Sequence, residues 1–456
     1  MKICNLPAIR ALFARGGGGG GGGGGEMLAL LLLLSGCSDE SSERAAYDPR
    51  KPIVLESFSP HEGGVGTQLI IRGENFGYDA SKIRVRIANN ENREARVISA
   101  KGNRIYAIVP ARADTGHVTV TIGEGDEMQE ASFEEEFLYE FKSNLSTLCG
   151  GSRLEDVDGS FKEAQFSRPM RLALDDENKI LFVLESDNFK ALRMVDLINQ
   201  TVTTPWRGPG FNNVRTVSFG LTRDTLLIGV EGGGQNLSTI FLLRSDGFVR
   251  QKNYSVGSGS NASIVNPVDG ELFVNNYYNG SVLRYDRESE TSIELARPFK
   301  QNTDFSFCWS IDGKYLYALC IDSPGSHSAI MRMEYDFETK TLGEPAQWVG
   351  MDGQPGYQDG VGDETRINAP YQMCASQQGD YFLADTWNHC IRRIVDNKGQ
   401  ATVTTYAGVP NSPGYTEGDP LQAQLQFPTG IAISDDGTVL YVADKENNRI
   451  VKITVE

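Results

Sequence analysis

A sequence motif that recurs along the C-terminal two-thirds of the chain constrains the fold more than any other feature of the sequence. Each copy contains three short apolar strands. The first follows a proline, and the second ends in an acidic residue 15 or 16 positions after that proline. The clear copies begin at Pro169, Pro370 and Pro428. A unit of this size cannot bury its own apolar face, so several copies must pack around a shared core.

The amino-acid sequence of the copies resembles the NHL repeat of β-propellers. The last copy reads Pro-Thr-Gly-Ile-Ala-Ile at 428–433, Leu-Tyr-Val-Ala-Asp at 440–444 and Asn-Asn-Arg-Ile-Val-Lys-Ile at 447–453. The resemblance implies one four-stranded antiparallel blade per copy. Degenerate copies at 214–243, 264–285 and 305–335 complete a prediction of six blades within 142–456.

The two ends of this region predict how the ring closes. The last copy stops after three strands, whereas 144–150 has the pattern of an isolated fourth strand followed by glycine. We predict that 144–150 pairs with the last blade, because an open blade edge would invite aggregation.

Residues 51–141 alternate between apolar and polar positions in short segments bounded by turn residues, which predicts a small β-sandwich. The stretches 53–60, 63–67 and 70–77 resemble the opening of an immunoglobulin-like IPT/TIG domain. Gly73 and Gly77 are expected to permit a tight backbone, and Phe76 to fill the end of the sandwich. The predicted fold is therefore all-β, with an immunoglobulin-like IPT/TIG sandwich followed by a six-bladed NHL-type β-propeller.

The N-terminal 36 residues are predicted to be a signal peptide of the lipoprotein type. Their apolar run at 27–34 is too short to span a bilayer as a helix. Leu34-Ser35-Gly36-Cys37 resembles the bacterial lipobox, which implies that Cys37 is the lipid anchor and that 37–50 is an acidic tether. In similar lipoproteins, acidic residues after the cysteine imply display on the outer cell surface. Ordinary secretory cleavage nearby is the alternative.

Charge and residue usage exclude several functions. The chain has 43 Lys plus Arg against 60 Asp plus Glu, a formal charge of −17, which argues against nucleic acid as a partner. It has only four histidines, two of them in the first domain, so a three-histidine zinc site like that of a related amidating lyase is not expected. No Gly-x-Ser-x-Gly elbow occurs. We predict no catalytic residue, metal or cofactor, although a lactonase-like metal site of carboxylates and asparagines stays open.

Short acidic segments at 156–159, 358–360 and 417–419 precede the three clear copies at equivalent positions. Calcium ligands and turn caps both fit such segments, and we favour turn caps. Apart from Cys4 and Cys37, the chain has five cysteines and no Cys-x-x-Cys pair, so these five are expected to be mostly small buried apolar residues.

In a propeller, the turns after the second strands share one face with the connectors between blades. That face is predicted to carry aromatic and amide side chains that suit a glycan, because aromatic rings stack on sugar faces and amides pair with hydroxyls. The candidate ligand-binding residues are Phe189, Phe211, Asn276, Tyr277, Tyr278, Tyr357, Trp387, Asn388 and Tyr415.

The domain arrangement resembles surface lipoproteins of Gram-negative glycan-utilisation systems. The resemblance implies a lipid-anchored protein of the outer membrane that captures a polysaccharide or oligosaccharide without catalysis. It also implies a partner transporter or partner glycan-binding proteins. The alternatives are a protein scaffold at the cell surface and a metal-dependent lyase or lactonase.

Overall fold

The computed structural model describes most of the chain beyond the leader. The described residues are 46–88, 94–110, 113–140, 143–151, 153–185, 190–207, 214–231, 239–249, 251–254, 256, 259–321 and 328–455. Cys37, Phe189 and Phe211 lie outside these ranges. Within them, no helix is both long and apolar enough to cross a membrane.

The first domain is a sandwich of two antiparallel sheets. One sheet has the order β1-β3-β6-β5, the other has the order β4-β7-β8-β2, and β5 also pairs with β4. Strand β2 joins β8 in parallel. The strands are β1 (Val54–Ser59), β2 (Glu62–Gly63), β3 (Gln68–Glu74), β4 (Ile83–Ile87), β5 (Glu94–Ala100), β6 (Arg104–Ile108), β7 (Gly116–Ile122) and β8 (Gln129–Tyr139).

Alternation along these strands builds the core of the sandwich. In β3, Leu69 and Ile71 are fully buried while Gln68 and Arg72 face solvent. The expectations for the glycine-rich opening hold. A Cβ on Gly73 would lie 1.9 Å from the carbonyl oxygen of Val54, and Phe76 is buried against the same core. Only glycine fits at position 73.

The second domain is a six-bladed propeller, as the repeats predict. After β9 (Ser143–Gly150) and the short β10 (Gly159–Ser160), the blades follow in chain order. Blade 1 contains β11 (Pro169–Asp175), β12 (Ile180–Glu185), β13 (Ala191–Asp196) and β14 (Thr201–Arg207); blade 2, β15 (Val214–Phe219), β16 (Thr225–Val230), β17 (Thr239–Leu243) and β18 (Gln251–Tyr254); blade 3, β19 (Ser263–Val265), β20 (Leu272–Asn276), β21 (Ser281–Asp286) and β22 (Thr291–Ala296). Blade 4 contains β23 (Phe305–Trp309), β24 (Tyr315–Cys320), β25 (Ala329–Asp336), β26 (Thr341–Leu342) and β27 (Ala346–Gly350); blade 5, β28 (Gly360–Val361), β29 (Pro370–Ala375), β30 (Asp380–Asp385), β31 (Cys390–Asn397) and β32 (Gln400–Ala407); blade 6, β33 (Pro428–Ile433), β34 (Val439–Asp444) and β35 (Arg449–Val455).

Short 3-10 turns are the helical elements of the described residues. They span Ala80–Lys82, Gly125–Glu127, Arg244–Asp246, Gly362–Glu364, Thr386–Asn388 and Lys445–Asn447. The last two follow second strands of blades 5 and 6, and each is closed by a residue in the left-handed conformation, His389 or Asn448.

The ring closes as predicted, through a strand from the beginning of the domain. Strand β9 pairs antiparallel with β35, with Leu145 opposite Ile453 and Cys149 opposite Ile450. Leu145 is fully buried among the residues of blades 5 and 6. Both chain ends of the propeller therefore meet in one blade, where β9 covers the edge of β35 that would otherwise be unpaired.

Strand pairing defines the two ends of the propeller. In blade 1, Pro169 at the start of the innermost strand pairs with Glu185 at the end of the second strand. Pro428 and Asp444 repeat this pairing in blade 6. The turns after second strands and the connectors between blades thus lie at one end, which we name the connector end.

Candidate functional site

Polar side chains from five blades converge where the central channel reaches the connector end. Three of them lie near the start of an inner strand, two lie just before an inner strand, and one directly follows a second strand. We name this group the mouth cluster; it comprises Arg171, Arg215, Glu231, Asn261, Asp304 and Tyr371. The inner strands line the axis of the ring, so residues far apart in sequence meet there.

Arg171 crosses the channel from blade 1. Its Nε donates to the carbonyl oxygen of Arg215 in blade 2 at 2.8 Å, and Nη1 donates to the carbonyl oxygen of Tyr371 in blade 5. The guanidinium also lies 5.2 Å from the centroid of the Tyr371 ring. Burial lowers the pKa of Arg171 to about 10, so the side chain remains a cation at neutral pH.

Arg215 and Glu231 form an ion pair beside Arg171. Nε and Nη2 of Arg215 donate to Oε2 of Glu231 at 2.9 and 2.6 Å. The Tyr277 hydroxyl donates to the other carboxylate oxygen at 3.3 Å. Tyr277, a predicted ligand residue, is thereby connected to the mouth cluster.

Asp304 supplies the second carboxylate of the cluster. The Asn261 side-chain amide donates to it at 2.8 Å, and Asn261 is held in turn by Asn275 at 2.6 Å. Burial raises the pKa of Asp304, and the nearby Arg215 opposes that shift. The cluster therefore presents both donors and acceptors at the channel mouth.

A glutamine divides the channel below the cluster. Gln372 in blade 5 accepts from the amide of Leu172 in blade 1 at 3.1 Å and donates to its carbonyl at 2.7 Å. On the connector side, the mouth cluster encloses a cavity of only about 10 Å³. On the other side, a cavity of about 240 Å³ opens to the opposite end, between residues such as Leu174, Ile264 and Ile433. Only one water-sized group fits within the mouth cluster.

Two predicted aromatic residues present exposed rings at the connector end. Tyr278 is 48% exposed and Trp387 is 39% exposed. The Tyr277 and Tyr278 rings lie against each other, with centroids 4.3 Å apart. Both residues follow the end of β20, in a turn, so strand alternation does not set their directions. Trp387 packs against Phe427 in a T-shaped arrangement, with centroids 5.0 Å apart, and remains partly exposed.

Tyr357 and Tyr415 have a second role that the sequence did not indicate, because each ring covers a buried arginine. Arg392 lies 4.9 Å from the Tyr357 centroid, and Arg449 lies 3.6 Å from the Tyr415 centroid. Phe166 covers Arg193 in the same way at 4.8 Å. Tyr415 is still 50% exposed, so one face of its ring covers the arginine while the side chain reaches solvent.

The covered arginines belong to a unit repeated in blades 1, 5 and 6. Each arginine is fully buried and contacts the acidic residue that ends the second strand of its blade. The pairs are Arg193 with Glu185 at 3.4 Å, Arg392 with Asp385 at 2.8 Å and Arg449 with Asp444 at 2.7 Å. The acidic residue that ends the second strand of each clear copy is therefore the partner of a buried cation.

The acidic segments of the connectors also contact these buried arginines. The prediction that their carboxylates cap turns was therefore wrong for three of them. Asp158, Asp359 and Glu417 contact Arg193, Arg392 and Arg449 respectively. Asp419 alone behaves as predicted and caps a turn by accepting from the amide of Leu421 at 2.9 Å. The carboxylates are used as arginine partners because the connectors fold back over the buried third strands.

Asn388 also requires a correction, because its side chain is not at the surface. It is 1% exposed, and its amide donates to the Gly356 carbonyl at 2.7 Å and to Asp385 at 2.8 Å. Asn447 repeats these contacts in blade 6. Asn276 remains partly exposed and caps its own turn by accepting from the amide of Asn279 at 3.3 Å.

His389 has a structural role. It adopts the left-handed conformation with φ 56°, and its Nδ1 accepts from the amide of Phe427 at 3.1 Å. Within the described residues, no group of three His, Cys, Asp or Glu side chains is arranged to hold a metal ion. The five cysteines are free thiols, four of them buried, and burial raises the pKa of Cys149 and of Cys308 to about 12.

Sequence reasoning missed the mouth cluster, although one signal was present. Arg171 and Gln372 are long polar side chains inside otherwise apolar inner strands, at the second position after the proline of their repeats. A polar residue at such a position has to reach across the channel or remain unpaired. The third copy has Gly430 at this position, and a Cβ there would lie 3.0 Å from the Met170 carbonyl.

Comparisons with known proteins agree with this architecture. The profile of the IPT/TIG domain matches residues 53–139, and that of the NHL repeat matches 425–453. A crystal structure from Bacteroides thetaiotaomicron, described as an auxiliary nutrient binding protein, is 30% identical with a TM-score of 0.63. The similarity covers 90% of this chain and 99% of that one. The chain belongs to this family of IPT/TIG and NHL-propeller proteins.

Other solved structures and curated proteins are similar as well. A Bacteroides ovatus structure, also described as an auxiliary nutrient binding protein, is 27% identical with a TM-score of 0.65, over 90% of this chain and 100% of that one. A B. thetaiotaomicron structure described as a putative phosphatase is 27% identical with a TM-score of 0.63, over 90% and 98%. Among curated relatives, Protein SUPPRESSOR OF QUENCHING 1, chloroplastic, from Arabidopsis thaliana is 26% identical over 64% of this chain. The chain spans only 25% of that relative's length.

Proposed function

We propose that this protein binds a polysaccharide or oligosaccharide at the connector end of its propeller and performs no chemistry on it. The observation that carries the proposal is the exposed pair of rings, Tyr278 and Trp387, at the end where the mouth cluster lies. Sugars offer flat C–H faces that stack on aromatic rings, and hydroxyl groups that both donate and accept hydrogen bonds. The rings and the cluster supply both kinds of contact.

The family supports a nutrient as the ligand. Two of its members, at 30% and 27% identity, are described as auxiliary nutrient binding proteins of Bacteroides species. Such a role requires display outside the cell, which agrees with the predicted lipid anchor at Cys37 and with the acidic tether. We propose an outer-membrane lipoprotein that hands its ligand to a transporter or to partner glycan-binding proteins.

Electrostatics at the channel mouth argues against the lactonase-like alternative. A catalytic metal ion there would lie beside two guanidinium groups, Arg171 and Arg215, and like charges in a partly buried site repel strongly. Glu231, one of the two carboxylates of the mouth cluster, is already bound by Arg215. The residues of the mouth suit a polar organic ligand better than a cation.

The proposal is tested by titrating the purified lipid-free chain with a panel of bacterial, plant and host polysaccharides in affinity gels and by calorimetry. At least one glycan should bind, and Tyr278→Ala and Trp387→Ala should each weaken that binding at least about fivefold, since stacking on one ring contributes on the order of 1 kcal/mol or more. The control is Ile198→Ala, which removes an exposed apolar side chain from the opposite end of blade 1. Its affinity should equal that of the wild type. If no glycan in the panel is retained, the protein-scaffold alternative replaces the proposal.

A further inference from the structure

Arg171 differs from the other deeply buried arginines of the propeller. It is 3% exposed, yet its recorded hydrogen bonds go only to two backbone carbonyls, and among the described residues it forms no ion pair with a carboxylate. Arg193, Arg392 and Arg449 are equally buried, and each contacts at least two carboxylates. A buried cation that makes no ion pair is costly, so its retention calls for an explanation.

The other charges of the mouth cluster do not neutralise Arg171 directly. Glu231 is occupied by both the Nε and Nη2 groups of Arg215. Asp304 attracts Arg171 electrostatically, but its hydrogen bond comes from the uncharged amide of Asn261, and within the described residues it forms no ion pair with Arg171. Arg171 and Asp304 both line the small cavity at the channel mouth. The positive charge of Arg171 is therefore turned towards that cavity.

We propose that the glycan bound by this protein carries an anionic group, a carboxylate or a sulfate, which enters the channel mouth and pairs with Arg171. This inference rests on the proposed function and specifies its ligand class. The cavity of about 10 Å³ holds no more than one water-sized group, so a single oxygen of the carboxylate or sulfate reaches into it, and the rest of the group and the sugar ring stay outside. Charge-assisted pairing with guanidinium is the strongest hydrogen bonding available to such groups.

The test compares ligands that differ only in the anionic group. Oligogalacturonides are paired with their carboxyl-reduced, neutral forms, and sulfated chondroitin is paired with desulfated chondroitin. Wild-type protein should prefer the anionic member of one pair at least about tenfold, and raised salt should weaken that preference. The pair that shows the preference identifies carboxylate or sulfate as the recognised group. Equal binding of both members in both pairs overturns the inference while leaving glycan binding intact.

The variant Arg171→Met should remove the preference for the anionic ligand. Arg223→Met, which removes an arginine from the opposite end of the channel, is the matched control and should keep the preference. Trp fluorescence and circular dichroism establish that each variant is folded. If Arg171→Met does not fold, Arg171→Lys is used, and the methyl ester of the galacturonide serves as the neutral ligand on wild-type protein. A preference that persists in folded Arg171→Met overturns the inference.

Free glucuronate and inorganic sulfate separate this inference from the proposed function. If no polysaccharide binds but one of these anions raises the melting temperature of wild-type protein and not of Arg171→Met, the anion site stands and the glycan proposal fails. If neither anion raises the melting temperature and no polysaccharide binds, both the anion site and the glycan proposal are overturned.

Discussion

Gln372 in blade 5 donates a hydrogen bond from its side-chain amide to the carbonyl oxygen of Leu172 in blade 1, at 2.7 Å, although blade 6 lies between them in the ring. The same side chain accepts from the amides of Leu172 and of Ile431 in blade 6. One residue thus ties three inner strands together across the channel. The central channel is consequently divided into two cavities, and the cavity at the connector end is lined by the buried Arg171.

Replacing Gln372 with leucine should destabilise the propeller. The change leaves up to three backbone groups without their partner, at about 1–3 kcal/mol each, so the free energy of unfolding should fall by at least about 2 kcal/mol. Urea denaturation followed by tryptophan fluorescence measures this, because all four tryptophans lie in the propeller. Gln378→Leu, which alters an exposed amide, should change the free energy of unfolding by less than about 0.5 kcal/mol. Equal effects of the two variants would contradict the bridging role of Gln372.

Closure of the ring should be sensitive to one leucine near its start. Leu145 is fully buried between blades 5 and 6, so Leu145→Ala should lower the free energy of unfolding by roughly 2–5 kcal/mol. Leu154, in the following connector, is 46% exposed, and Leu154→Ala should have a small effect. The same denaturation curves measure both variants. A propeller that tolerates Leu145→Ala as well as Leu154→Ala would show that β9 contributes little to closure.

Stability should depend on pH through Glu185. Burial raises the pKa of Glu185 from its ordinary value of 4.5 to about 8, and the neighbouring Arg193 opposes the shift. The folded state therefore holds this proton more tightly than the unfolded state. The stabilisation is complete below pH about 4.5 and is lost as the pH rises towards about 8.

The variant Glu185→Gln keeps the shape of this side chain and removes its titration. Between about pH 6 and pH 8.5, the urea midpoint of the variant should fall less than that of the wild type. Glu177→Gln removes an exposed carboxylate from the turn before β12 and should follow the wild-type curve. A steeper fall for Glu185→Gln than for the wild type would reverse the sign of the pKa shift.

Aromatic residues that cover a buried arginine should contribute more to the free energy of unfolding than equally exposed aromatic residues that do not. Tyr415 and Tyr278 are similarly exposed, at 50% and 48%, but only Tyr415 lies over a buried arginine. Tyr415→Ala should lower the free energy of unfolding by about 1–2 kcal/mol through loss of the contact with Arg449. Tyr278→Ala should cost clearly less. Equal costs would mean that the ring of Tyr415 does not stabilise Arg449.

Local patterns predicted the strands well because the information they need is local. The strand bounds of blades 1, 5 and 6 follow from alternation and turn residues within each copy, and even the degenerate copies at 214–243 and 305–335 form blades. The pairing of β9 with β35 was predictable because an incomplete last blade and an isolated strand require each other. Asn388 was misplaced because a short helical turn directs its side chain inward, towards Asp385. Strand alternation does not report that direction.

The repeats specify the number of blades, their strands and the closing strand, because each of these depends on residues within one repeat or on the ends of the repeated region. Which side chains meet at the channel mouth depends on the assembled ring. Arg171 contacts backbone 44 residues away in blade 2 and 200 residues away in blade 5. No pattern within a repeat encodes that contact, because the ring brings inner strands together only after all six blades are in place.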